Sequence, residues 1–249
     1  MKEQINLFFL ALGFFSRIPM SAWVEYSPER QQRASRYIGL VGWLLGGLVV
    51  LTLFAAQSIF STTISIWLAI LVGLLLTGAL HEDGLADLAD AFGGGFTAEK
   101  KLAIMKDSRL GTYGAVAIVM ALGGKFLLLS ELSPIWPALL VAYPLSRAVA
   151  ITFTFDMPYV SDSNQSKSQS FSNNQSMADL FILSISILPI LSLLSLPSFV
   201  ALLVTLLLFR FCFKRFLLRQ IGGYTGDCLG AAQQLSELIV YSVLIFSPK

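Results

Sequence analysis

About seven stretches of roughly 20 mainly apolar residues run along this chain, near 38 to 57, 63 to 80, 111 to 132, 136 to 155, 178 to 195, 198 to 216 and 229 to 246. A run of that length matches the hydrocarbon thickness of a bilayer, where only helices and closed barrels satisfy every backbone N–H and C=O. The expected fold class is therefore all-α: a polytopic integral membrane helical bundle of about seven transmembrane helices plus short interfacial helices, in a single domain over residues 1–249. Composition agrees, because charged residues are 13% of the chain and apolar residues 55%, whereas soluble domains carry about 25% charged residues. A net charge of +2 gives no reason to expect a nucleic-acid partner; membrane lipid is the expected surroundings.

The run from Ile5 to Phe15 is too short to span and is followed by Ser16, Arg17, Ile18 and Pro19, without a small-residue cleavage site. It reads as an interfacial or re-entrant helix kept in the mature protein. Cys212 and Cys228 have neither metal-type spacing nor a framework pattern and read as two buried thiols. The connections after the first, third and fifth runs are short and almost free of cations, while Arg30, Arg33, Arg36, Lys100, Lys101, Lys106, Arg109, Lys214, Arg215 and Arg219 fall in the others. That asymmetry makes one face cytoplasmic. The Ser-, Asn- and Gln-rich segment from Asp156 to Asn174 lies on the same side and reads as a flexible linker.

The chemistry-bearing residues cluster on that face. After the second run the chain reads HEDGLADLADAFGGG, which sets Asp83, Asp87 and Asp90 at i, i+4 and i+7. On a helix these carboxylates share one stripe and repel, and no cation at i±4 neutralises them, so a divalent cation is the simplest partner. Oxygen donors without sulfur suit Mg2+, which completes its octahedron with water and substrate phosphate; the bland alternative is a solvated amphipathic face. The following KDSRLGTYG offers Asp107 as a further metal ligand, with Lys106 and Arg109 to grip phosphate, or else to anchor the next span.

His81, the lone histidine, and Asp90 are both candidate bases, and a phosphate oxygen of the substrate is a third. Arg147 lies inside a span near its cytoplasmic third and is expected to reach the acids; Lys125 lies deeper with no role assigned. In IGGYTGDCLGA, Thr225 and Asp227 either cap the last helix or contact substrate from a second loop on the same face.

The blocks FFSRIP, HEDGLADLADAFGGG, IMKDSRLGTYG and GGYTGDCLGA, in this order and spacing, resemble the cobalamin synthase family, the adenosylcobinamide-GDP ribazoletransferases. The resemblance covers nearly the whole chain. It implies an enzyme of the prokaryotic inner membrane, with its site on the cytoplasmic face. In that reaction α-ribazole or its 5'-phosphate displaces GMP from adenosylcobinamide-GDP in the presence of Mg2+. The resemblance thus implies metal at Asp83, Asp87, Asp90 and Asp107, catalysis by these acids and His81, and substrate contacts from Lys106, Arg109, Arg147, Thr225 and Asp227. Glu82 stands where that family usually has an apolar residue, and VSDSNQSKSQS after MPY departs from its pattern.

The acid pattern is also similar to the D-G-x-x-A-R motif of CDP-alcohol phosphatidyltransferases, but Asp87 occupies the arginine position. Oligomeric state is left open, including a homo-oligomer. The rival of another class is a cation transporter with a cytoplasmic acidic site, which would be expected to carry an acid near the centre of a span; none is expected here.

Overall fold

The computed structural model describes residues 2–161 and 175–246; most of the polar segment from Asp156 to Asn174 lies outside them. Eleven α-helices make up the described fold, and Tyr159 and Tyr224 form an isolated parallel bridge outside any strand. In chain order they are α1 (Lys2–Phe15), α2 (Pro28–Ala34), α3 (Ile38–Gln57), α4 (Thr62–Thr77), α5 (Leu80–Gly94), α6 (Ala98–Met105), α7 (Thr112–Glu131), α8 (Trp136–Thr152), α9 (Met177–Ile187), α10 (Leu196–Ile221) and α11 (Gly226–Phe246). The all-α membrane bundle expected from the apolar runs is the observed architecture.

The number of spans is lower than about seven. Among the described residues five helical segments are long and apolar enough to cross a membrane, Pro28–Gln57, Thr112–Glu131, Trp136–Phe155, Leu196–Ile221 and Gly226–Phe246, and a sixth is counted if the bent pair α4 and α5 is one span. Two of the expected runs break, each for a local reason. The second ends at Thr77, where Gly78 and then Ala79 take positive φ of 65° and 55°, and the chain turns by 86° into α5. Glycine enters that left-handed region freely, whereas an alanine there costs roughly 1–2 kcal/mol. The bend therefore stores strain at Ala79, two residues ahead of the HEDG block. The fifth run stops as an α-helix after 11 residues and continues as a 3-10 helix, Leu188–Leu193, with Pro189 in its first turn, because proline has no N–H for the α pattern and clashes with the preceding turn.

Packing follows small residues, as expected where lipid tails remove the hydrophobic drive between helices. α3 runs against α8 so closely that a Cβ at Gly42 would lie 2.4 Å from the Cα of Pro144. Leu45, Val49, Leu53, Leu139 and Val141 form the core at that contact. The short helices attach to this core by polar clamps. Arg36 and Asp179, both buried, pair at 3.0 Å, and Asp179 closes a capping box with Ser176 at the start of α9. α1 lays Leu7, Leu10 and Ala11 against the core, the short helix expected at the N-terminus. Cys228 is buried as expected, but Cys212 is exposed on α10.

Candidate active site

α5 and α11 meet backbone to backbone. A Cβ on Gly84 would lie 2.9 Å from the Asp227 carbonyl oxygen and 3.2 Å from Gly230 Cα, and one on Gly230 would lie 3.1 Å from the His81 carbonyl oxygen. Only glycine at both positions permits this approach without displacement of main chain. It brings the HEDG and TGD blocks, 144 positions apart from Asp83 to Asp227 by subtraction of their numbers, to one cavity. That cavity of about 120 Å3 is lined by His81, Asp83, Arg147, Asp227, Phe14 and Phe15, among others. Asp83 is exposed, while Asp87 and Asp227 are partly buried. Asp227, Asp83 and Asp90 all act on Asp87 as like charges, with Asp227 the largest of the three.

The aspartate stripe divides along its length. Asp90 accepts from the N–H of Gly111 at 2.7 Å and of Gly114 at 2.8 Å, which caps the first turn of α7 and commits both of its oxygens. The set of four metal-binding aspartates is not assembled. Asp90 faces the orphan N–H groups of another helix, and Asp107 accepts from the backbone N–H and side chain of Arg109, with Nη2 at 2.5 Å. Among the described residues no group of three or more His, Cys, Asp or Glu could hold a metal by itself. The remaining acids still fit Mg2+ in its usual manner, held by one or two carboxylates with water and substrate phosphate completing the shell. Asp83, Asp87 and Asp227 supply crowded oxygen donors with no ion-pair partner among the described residues.

The caps on Asp90 have a second consequence. They hold the start of α7, and with it the preceding loop that carries Lys106 and Arg109, against the end of α5. Both cations are exposed on that loop. The Arg109 guanidinium beside it holds the Asp107 carboxyl down at about 2, and the same pair raises Arg109 above its ordinary value. Thr225 is buried, caps α11 by accepting from Cys228 N–H at 3.4 Å, and its hydroxyl donates to Asp227 Oδ2 at 3.3 Å. The capping alternative is thus realised, and the cap also orients Asp227. His81 is buried and lines the cavity, while Arg147, 2% exposed, donates from Nη1 to the Tyr143 carbonyl at 2.9 Å and stacks over that ring.

Sequence reasoning missed two contributions. Phe14 and Phe15, from the FFSRIP block, wall the cavity, and Arg17 of the same block donates its backbone N–H to the Leu76 carbonyl at 2.7 Å beside the strained bend. The signal was the block itself, whose place against the second run only the fold shows. The expectation that no acid lies near the centre of a span is also overturned. Glu237 sits near the middle of α11, 1% exposed, with Lys125 Nζ at 3.1 Å; it was overlooked inside an otherwise apolar run.

Comparison with known proteins adds to this geometry. The profile of the cobalamin-5-phosphate synthase family matches residues 7–245. The chain is similar to an adenosylcobinamide-GDP ribazoletransferase of Vibrio cholerae serotype O1, 49% identical over 98% of this chain and 95% of that protein. It is similar to a protein of the same name from Vibrio vulnificus, 52% identical over 97% of this chain and 96% of that protein, and to one from Shewanella pealeana, 48% identical over 98% and 96%. No solved structure matches the chain. The match runs from the phenylalanines of α1 through the aspartates of α5 to the end of α11, taking in every element that builds the cavity, and the chain therefore belongs to the cobalamin-5-phosphate synthase family.

Proposed function

We propose that this enzyme is a Mg2+-dependent transferase that joins α-ribazole, or its 5'-phosphate, to adenosylcobinamide-GDP and releases GMP, giving adenosylcobalamin or its 5'-phosphate. The observation that carries the reading is the meeting of Asp83 and Asp227 at one cavity across the glycine contact of α5 and α11, with Asp87 in electrostatic reach of both. The family membership and the names of the relatives support the choice of substrates.

In this reaction a ribose hydroxyl oxygen of ribazole other than the 5'-oxygen, which already carries the phosphate in the 5'-phosphate substrate and its product, forms a bond to the phosphorus attached to cobinamide. The bond from that phosphorus to the bridging oxygen of the diphosphate breaks, and GMP leaves with the electron pair. Asp83 and Asp87, with Asp227 opposite, are the residues that would hold Mg2+. When bound, it supplies neutralisation of the diphosphate and of the charge gathering on the departing phosphate. Lys106 and Arg109 grip phosphate oxygens from the loop fastened by Asp90, and Arg147 offers a buried cation from the cavity floor. The hydroxyl proton passes to His81 or to a phosphate oxygen of the substrate; Asp90, each of whose oxygens already accepts an N–H at the start of α7, is the weaker candidate base. The cation-rich connections support a site on the cytoplasmic face of the inner membrane.

The transporter reading gains one observation, the mid-span Glu237. However, that carboxylate is engaged by Lys125, Tyr241 and Gln233, and such pairing fits a fixed interior better than an ion path.

The test is GMP release by the purified protein in detergent, given adenosylcobinamide-GDP and α-ribazole with and without Mg2+. Release that requires both ribazole and metal is expected, with chelation abolishing it. No release from folded protein would overturn the reading and lead to ion-flux assays.

A further inference from the structure

Four side chains with formal charges are buried where the helices cross: Glu82 of α5, Lys125 of α7, Arg147 of α8 and Glu237 of α11. Two cations and two anions cancel. Lys125 Nζ lies 3.1 Å from Glu237 Oε1 and 4.0 Å from Glu82 Oε1. Tyr241 donates its hydroxyl to Glu237 Oε1 at 2.8 Å, and Gln233 Nε2 donates to Glu237 Oε2 at 2.8 Å and to Ser146 Oγ at 3.0 Å. Gln234 Nε2 donates to Gln233 Oε1 at 2.7 Å and to Glu82 Oε1 at 2.9 Å. One unbroken chain of bonds thus links α8, α11 and α5, and Lys125 ties α7 to it.

Stability alone does not account for this arrangement. Charges in a membrane interior are costly even when paired, and apolar side chains of the same volume would hold the helices as well or better. What a hydrogen-bonded network supplies and an apolar contact does not is register, because its donors and acceptors match at one setting of the helices only. Its ends adjoin the cavity. Glu82 precedes Asp83, Ser146 precedes Arg147, and Gln234 lies one turn beyond Gly230, the residue on which α5 rests.

We propose that Lys125, Glu82, Glu237, Gln233 and Gln234 are positioning residues, which fix the register of α5 and α8 on α11 and so set the separation of Asp83 from Asp227 and the aim of Arg147 into the cavity. The proposal rests on the transferase reading of that cavity. A slip of one residue along a helix is about 1.5 Å, and a misplacement of that order costs roughly 100-fold in rate when reacting groups must be aligned. None of the five needs to touch substrate.

Two variants test it. Lys125→Met with Glu237→Gln removes one charge of each sign and leaves Glu82 and Arg147 in balance. Gln234→Met cuts the link from α11 to α5 while keeping volume. Each is compared with wild type and with Lys125→Arg for thermal unfolding in detergent, for kcat and KM of GMP release, and for Mn2+ binding by electron paramagnetic resonance without substrate. The expected result is cooperative unfolding near the wild-type temperature, a kcat lower by about tenfold or more, a smaller change in KM, weakened Mn2+ binding, and recovery of most of kcat in Lys125→Arg.

A folded double variant, or a folded Gln234→Met, with wild-type kcat and Mn2+ affinity overturns the proposal. Should the double variant fail to fold, Gln234→Met decides on the same criteria. Wild-type protein that neither releases GMP nor binds Mn2+ overturns the transferase reading, and the proposal falls with it; that outcome is told apart from the first by the wild-type control.

Discussion

Two groups of carboxylates in this chain are treated in opposite ways. Glu82 and Glu237, deep in the bundle, face Lys125, and each accepts a glutamine amide. Asp83 and Asp227, at the cavity, and Asp87, a turn along α5 from Asp83, have one another for neighbours and no ion pair among the described residues. Where water cannot reach, an uncompensated charge would cost too much for the fold to survive, so compensation comes from the protein. At the cavity the missing positive charge can arrive with metal and be met by cationic side chains when the diphosphate binds. A shortfall of cations thus marks the reactive group and a balanced set marks the framework, although both are rows of acidic residues on the same two helices.

The largest effect that would sharpen this contrast is Asp83→Asn. Removing one carboxylate from the unbalanced group should lower GMP release at least ~100-fold, on the order of 3 kcal/mol of transition-state stabilisation. Thermal unfolding should stay unchanged or rise slightly as repulsion is relieved; retention of near-normal activity would end the metal-site hypothesis. Lys125→Met should do the reverse in kind. It leaves two buried carboxylates with one cation, and breaking a buried pair costs roughly 3–5 kcal/mol. Its melting temperature should fall sharply, and a melting curve like the wild type's would erase the distinction between the two groups.

Asp90→Ala comes next, since two N–H groups at the start of α7 lose their acceptor, at about 1–3 kcal/mol. Stability should drop while metal dependence persists. If Asp90→Ala instead abolished metal dependence with little change in melting, the division of the stripe would be wrong.

The smallest effect concerns Asp107. Its folded value of about 2 lies below the ordinary 3.8, so any stability it lends is present above 3.8 and is lost as pH falls through about 2. The pair is exposed and screened by solvent, so that contribution is small at every pH above 3.8; Arg109→Ala should leave the melting temperature at neutral pH nearly as it was and make no difference at all below about 2. At neutral pH its cost should show in KM for adenosylcobinamide-GDP. A neutral-pH melting shift in Arg109→Ala would count against this exposed pair being free of structural duty.

How much of the site could be read beforehand differs from residue to residue. The stripe of Asp83, Asp87 and Asp90 follows from spacing alone, because helical periodicity is local. That Asp90 belongs to α7 and Asp83 to the cavity does not, because a carboxylate's role depends on which N–H groups or charges another element brings to it. Arg147 was legible as an intramembrane cation in need of company. Glu237, which pairs with the other intramembrane cation, Lys125, was not, being the one acid in a long, mainly apolar run. The break after Thr77 was hidden as well, since Gly78 and Ala79 look like an ordinary small-residue pair in an apolar stretch.

By itself the sequence determined the solvent, the fold class, the helical stripe of acids and the family, because hydropathy, period and motif order are properties of the chain read in line. Only the tertiary structure decided that Gly84 and Gly230 let α5 and α11 touch, that the phenylalanines of α1 wall the cavity, and that Lys125 and Glu237 answer each other inside the bundle. Contact between distant segments depends on how closely two backbones can approach, and on where a buried charge finds its partner. Both are settled in space, after the chain has folded.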